Sequence, residues 1–208
     1  MEFNIIVTFP RSLEHLASLS INAPRFTIRS DNSLRNTFGS IDVASEDAPI
    51  VLDSLDATGP IKLATTNAPI QLEGPVKGFN IDLSTTNGRI EGNSISENII
   101  KARTVDSGIH GSYSMNDNGL LIISTTNGPI DIDVLLLPSD KSKSDKLESY
   151  KVSAESTNGR VDIKFTEQPQ DSYLACKART TNAKVEVKLD PQFQGKFYVS
   201  LSFFFRCS

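Results

Sequence analysis

One short phrase returns along the chain often enough to dictate its fold. Thr65-Thr66-Asn67-Ala68-Pro69-Ile70 recurs as Thr85-Thr86-Asn87-Gly88-Arg89-Ile90 and as Thr125-Thr126-Asn127-Gly128-Pro129-Ile130. It recurs again as Ser156-Thr157-Asn158-Gly159-Arg160-Val161 and Thr180-Thr181-Asn182-Ala183-Lys184-Val185. Two decayed copies, around Asp47 and Asp106, hold the same frame. Anchored on the Asn/Asp position, the seven copies stand at Asp47, Asn67, Asn87, Asp106, Asn127, Asn158 and Asn182, with steps of 20, 20, 19, 21, 31 and 24 residues. A fixed period of this length marks an array of stacked units, each unable to bury its apolar face alone. Ile21-Asn22-Ala23-Pro24 reads as an eighth copy whose apolar residues stand one position out of frame.

Columns through the copies give the local structure. Before each anchor, Ile41, Ile61, Ile81, Ile100, Leu121, Val152 and Cys176 share one position, and Val43, Leu63, Leu83, Ala102, Ile123, Ala154 and Ala178 another. A hydroxyl follows in every copy (Ser45, Thr65, Thr85, Thr104, Thr125, Ser156, Thr180), and after the anchor comes a β-branched residue, from Ile50 to Val185. The alternation has period two on each side of the anchor, so each copy holds two short strands with one buried face. Asn-Gly between such strands ordinarily signals a hairpin, whose next residue donates its N–H across the ladder. Pro49, Pro69 and Pro129 occupy that place and have no N–H. A corner in a coiled, parallel β-solenoid accepts proline there, with Asn or Gly supplying a left-handed backbone. Equivalent residues then stack about 4.8 Å apart. The expected fold is an all-β parallel solenoid of about seven to eight coils.

Charge patterning agrees with stacking. Asp42, Lys62, Asp82 and Lys101 share one outward column and alternate in sign, before the column continues as Ile122, Ser153 and Lys177. The longer steps carry polar insertions, Ser139-Asp140-Lys141-Ser142-Lys143-Ser144-Asp145-Lys146 and Gln168-Pro169-Gln170-Asp171, which read as surface loops. The repeat resumes in phase after each, so residues 1–208 read as one domain. Within it, 1–40 form a cap or first coil, built on the Phe3-Ile5-Val7 alternation and the run from Leu13 to Ile21. Residues 41–190 form the repeats, and 191–208 a closing strand or a truncated tail.

Composition excludes several classes. With 21 basic against 25 acidic residues, the net charge of -4 argues against nucleic acid as a partner. No run approaches the roughly 18 apolar residues of a membrane-spanning helix, and the Met1-Glu2-Phe3-Asn4 start lacks the basic and apolar regions of a signal peptide. Cys176 and Cys207 make neither a disulfide framework nor a zinc site. Fourteen asparagines occur without one Asn-x-Ser/Thr sequon, which argues against a secretory route.

Chemistry has few places to reside. Val51, Gln71, Glu91, His110, Asp131, Asp162 and Glu186 form an outward, largely acidic column. It suggests a cation site or acid–base work, but Arg89, Arg160 and Lys184 stand beside it, and a salt-bridged surface is the better reading. His110 lies near Asp106 and Ser107, without the Gly-x-Ser-x-Gly of a serine hydrolase. Cys176 stands in an inward column and reads as a structural thiol. The Thr66, Thr86, Thr126, Thr157 and Thr181 column points outward, and its hydroxyls, with the Asn amides, are expected to form hydrogen-bonded ladders at the corner. The anchors Asp47, Asn67, Asn87, Asp106, Asn127, Asn158 and Asn182 are therefore assigned a structural role, with no catalytic, cofactor-binding or metal-binding residue.

The Thr-Thr-Asn-Gly/Ala-Pro/Arg-Ile repeat, over roughly residues 41–190, resembles an adhesin-type domain family of unknown function found in bacteria and basidiomycete fungi. The resemblance implies a non-catalytic, surface-associated interaction module that binds a protein or a glycan. Fungal members of that family often carry a membrane-spanning segment before the repeats, a plan this chain departs from. The competing readings are a polysaccharide-active enzyme on a β-helix, which would need a clustered acid–base pair in a groove, and an intracellular scaffold. An open solenoid end also invites self-association.

Overall fold

The computed structural model describes residues 9, 12, 14–30, 36–138, 148–170, 172–191, 193 and 196–200. Among them there is no helix; parallel strands stack into a β-solenoid of about eight turns at ~21-residue spacing. The Phe3-Ile5-Val7 stretch, Leu13, the Ser139–Lys146 insertion, Asp171 and the tail from Leu201 on, including Cys207, lie outside the described residues. Among the described residues no helix is long and apolar enough to cross a membrane.

Each turn contributes a strand before the corner and one after it, and the early turns add a third short strand, His15–Leu16, Thr37–Phe38 and Leu55–Ala57, which stack on one another and then on Ile70–Ser84. On the first side, Leu19–Asn22 pairs with Ile41–Ala44, which pairs with Pro60–Ala64. The stack continues through the second half of Ile70–Ser84 and of Ile90–Arg103 to Leu120–Ser124, Ser149–Glu155, Tyr173–Arg179 and Lys196–Ser200. On the second side, Ile28–Arg29, Ile50–Leu52 and the starts of the two long strands lead to Ile109–Met115, Ile130–Leu136, Val161–Glu167 and Val185–Lys188. Every pairing is parallel, and the first side keeps the repeat register: Ile41 lies over Ile61, Ile61 over Ile81, and Ile100 over Leu121. Irregularities shift the register between Gly92 and Ser94, between Ser96 and Ile99, and between Val134 and Leu135.

That register explains the core. The two inward columns before the corner are buried from Ile41 to Ala178, and the inward column after it is buried from Ile50 to Val161. Only Val185, in the last described turn of that side, is half-buried. Sealing each such aliphatic side chain contributes about 1.5–3 kcal/mol, so stacking identical residues yields one continuous apolar column from repeats that alone would be unstable.

Several sequence expectations need correction. The eighth turn exists, but its anchor is Arg25 rather than Asn22: Leu19 pairs with Ile41 and Ile28 with Ile50, placing Arg25 above Asp47. Pro24 supplies the carbonyl that both Glu46 and Asp47 N–H groups address, the role Glu46 plays for Thr66 and Asn67. Apolar register therefore overrides the Asn-Ala-Pro letters. The corners also need no left-handed residue. Positive φ occurs instead at Gly92 and Gly111 on the second side and at Asn118 in the turn at the far end of the coil. Gly92 and Gly111 are stacked partners, and a Cβ on Gly111 would stand 1.9 Å from the Gly92 carbonyl oxygen.

Candidate functional site

The corner is the most regular polar feature of the fold. Its inward hydroxyl does two jobs. Thr85, Thr125 and Ser156 each accept the N–H three residues on, from Gly88 at 3.1 Å, Gly128 at 3.2 Å and Gly159 at 2.8 Å. The same column donates to the preceding corner: Thr104 to the Gly88 carbonyl at 2.9 Å, Thr125 to Ser107 at 2.9 Å, Ser156 to Gly128 at 3.1 Å and Thr180 to Gly159 at 2.8 Å. A buried turn would otherwise leave these backbone groups unpaired, at a cost of about 1–3 kcal/mol each. This overturns the assignment to Thr66, Thr86, Thr126, Thr157 and Thr181. Those side chains are exposed, and the ladder is made one residue earlier.

The anchor side chains form a second, exposed ladder. Asn67 donates its amide N–H to Asp47 at 2.7 Å, and Asn87 donates to Asn67 at 2.6 Å. A second run begins at Asp106, which accepts from Asn127 at 2.6 Å; Asn158 then donates to Asn127 at 2.7 Å and Asn182 to Asn158 at 2.6 Å. Every donor points back toward the preceding turn. Each run is headed by an aspartate, which as a carboxylate can only accept.

The acidic column lies in register on the second side: Gln71, Glu91, His110, Asp131, Asp162 and Glu186 are successive partners. Val51, expected at its head, is buried. The basic neighbours engage the carboxylates directly. Arg89 reaches Glu91 at 3.0 Å, and Arg160 bridges Asp131 at 3.1 Å and Asp162 at 3.3 Å. Glu186 is held by Lys184 at 2.5 Å and Lys188 at 3.0 Å, whose hydrogen bonds and charges lower its carboxyl to about 2. A shallow, open depression of about 260 Å³ lies over this salt-bridged surface. Among the described residues, no group of three or more His, Cys, Asp or Glu is placed to hold a metal ion.

The other candidates do not converge. The His110 ring lies over Gly108, its Nε2 2.6 Å from where a Cβ there would stand, and no hydrogen bond joins it to Asp106 or Ser107 among the described residues. Cys176 is buried beside Val152 in the strand stack, and burial pushes its thiol up to about 12. Asp42, Lys62, Asp82 and Lys101 are stacked partners, without a closed ion pair among them. What sequence reasoning did not single out is the first side of the last four turns. There Lys101, Arg103, Lys151, Lys177 and Arg179 face outward, with Glu155 among them, which Lys177 holds at 2.5 Å, and Asp82 stacked on Lys101.

Fold and ladders together define a parallel β-solenoid whose outward columns are long and regular. The chain belongs to the family described as Domain of unknown function (DUF7330), whose model matches residues 98–203. No curated protein and no solved structure matches it.

Proposed function

We propose that this protein is a non-catalytic, adhesin-like interaction module that holds a protein or glycan ligand along one side of its solenoid. The observation that carries the reading is the side-chain register. Outward residues repeat once per strand spacing over several turns, as in the exposed column of Thr66, Thr86, Val105, Thr126, Thr157 and Thr181. Such an array suits extended, repetitive contact rather than enclosure of one small substrate. The depressions on the surface are shallow and open, and three carboxylates lining the acidic one, Asp131, Asp162 and Glu186, are engaged by Arg160, Lys184 and Lys188. A hydrolase or lyase would need a proton-transferring pair free to act in a groove. The resemblance to adhesin-type repeats of fungal proteins supports a surface-associated setting.

Incubating the purified protein with a panel of polysaccharides, and assaying both retention and product release, tests the reading. Retention without shortened chains is the expected result. Release of shortened or unsaturated products would overturn it in favour of an enzyme.

A further inference from the structure

The two sides of the last four turns differ in charge. On the second side the outward columns set Arg160, Lys164, Lys184 and Lys188 against Asp131, Asp133, Asp162 and Glu186, and most of these are ion-paired. On the first side Lys101, Arg103, Lys151, Lys177 and Arg179 outnumber the carboxylates, Glu155 within these turns and Asp82, which stacks on Lys101 from the turn before. Lys101, Arg103 and Lys151 make no ion pair among the described residues. An excess of positive charge thus collects on one side of a chain whose net charge is -4. All five cations fall within residues 98–203, the segment that the family model matches.

We infer that this side, from Lys101 to Thr181, binds an anionic polysaccharide lying along the solenoid axis; the inference rests on the interaction-module reading above. Register sets the geometry. Lys101 and Lys177 share one column and Arg103 and Arg179 the next, in each case three turns apart, or about 14 Å at one strand spacing per turn. Between them stand Ile122 and Ser153 in the first column and Ser124 and Glu155, the latter held by Lys177, in the second, flanked by the exposed hydroxyls of Thr126, Thr157 and Thr181, over a shallow trough of about 330 Å³. A strand spacing is close to the advance of one sugar ring, so successive rings would meet successive rungs. Cations at either end would meet carboxylate or sulfate groups, while serine and threonine hydroxyls would exchange hydrogen bonds with sugar hydroxyls. The half-buried aliphatic row of Ile99, Leu120 and Ile122 would meet ring C–H surface.

Affinity electrophoresis of the full chain through gels containing polygalacturonate, dextran sulfate or dextran tests the proposal. Retardation by the two charged polymers, relieved by added salt and absent with dextran, is expected. Lys101→Gln with Arg103→Gln should weaken it by about tenfold, and Lys164→Gln with Lys188→Gln on the opposite side should leave it unchanged. Lys151→Gln, at an exposed site, gives a second and milder reduction should the double variant fold poorly. Equal retardation by dextran, undiminished binding by folded Lys101→Gln/Arg103→Gln protein, or equal competition by duplex DNA would overturn the proposal. Binding of a neutral glycan or of a protein through another surface would overturn it while leaving the interaction-module reading standing. Shortened polymer chains would instead remove that reading.

Discussion

Asn87 and Asp106 occupy adjacent turns of one corner, yet no hydrogen bond passes between their side chains among the described residues. Asn87 gives its amide N–H to Asn67, and among the described residues Asp106 accepts a side-chain hydrogen bond from Asn127 alone. The deficit is one of counting. The run from Asp47 to Asp106 holds two amides between two carboxylates, and each amide NH2 group faces one neighbouring turn, so two of its three gaps are bridged however the amides are turned. Replacing Asp106→Asn supplies the missing donor and keeps the acceptor for Asn127. Urea unfolding should show a gain of about 0.5 kcal/mol, the scale of an exposed neutral hydrogen bond. Unchanged or lower stability would show that the broken ladder costs nothing.

The inward and outward hydroxyl columns should respond very differently to one isosteric change. Thr125→Val removes the acceptor of the Gly128 N–H, buried in the corner, and a donor to the partly buried Ser107 carbonyl. A loss of about 1–3 kcal/mol is expected. Thr126→Val, one residue on and exposed, should stay within about 0.5 kcal/mol of the parent. Equal effects at both sites would remove the corner-capping role.

Gly111 combines two demands, a φ of 145° and a stacked Gly92 carbonyl oxygen 1.9 Å from any Cβ. Gly111→Ala should therefore destabilise by about 2 kcal/mol or more, against the small gain that the same change brings where the backbone suits alanine. Thermal unfolding followed by circular dichroism measures it.

Glu155 sets an acid limit. The Lys177 hydrogen bond, then its charge, a hydrogen bond from Ser153 and the charge of Arg179 hold its carboxyl below the ordinary 4.5. A group lowered in the folded state contributes stability above its unfolded pKa and loses it as the pH falls through the folded one. Stability should therefore decline below about pH 4.5, and Lys177→Gln should make that decline shallower. Urea midpoints at neutral and acid pH check the sign; a steeper decline in the variant would refute it. The pair is largely exposed, so the difference will be modest.

Cys176 should be inert while the chain is folded. Burial raises its thiol to about 12, so little thiolate exists at neutral pH. In a Cys207→Ser background, a disulfide exchange reagent should label Cys176 only at the rate of unfolding; fast labelling in native buffer would contradict its buried position.

Letters that recur at a fixed period were sufficient to specify parallel stacking, because identical apolar residues at one strand spacing leave a single way to bury them all. The inward columns from Ile41 to Cys176, the anchor ladder residues and the pairing of Arg160 with Asp131 and Asp162 are legible on that basis. Three matters needed tertiary structure. Backbone dihedrals are fixed by the stacked neighbour, so the left-handed residues are Gly92, Gly111 and Asn118 rather than the corner glycines. The first turn follows its apolar register, seating Arg25 where the letters proposed Asn22. Charge balance on a side depends on which columns share it, so the cluster of Lys101, Arg103, Lys151, Lys177 and Arg179 emerges only when separated turns are laid over one another.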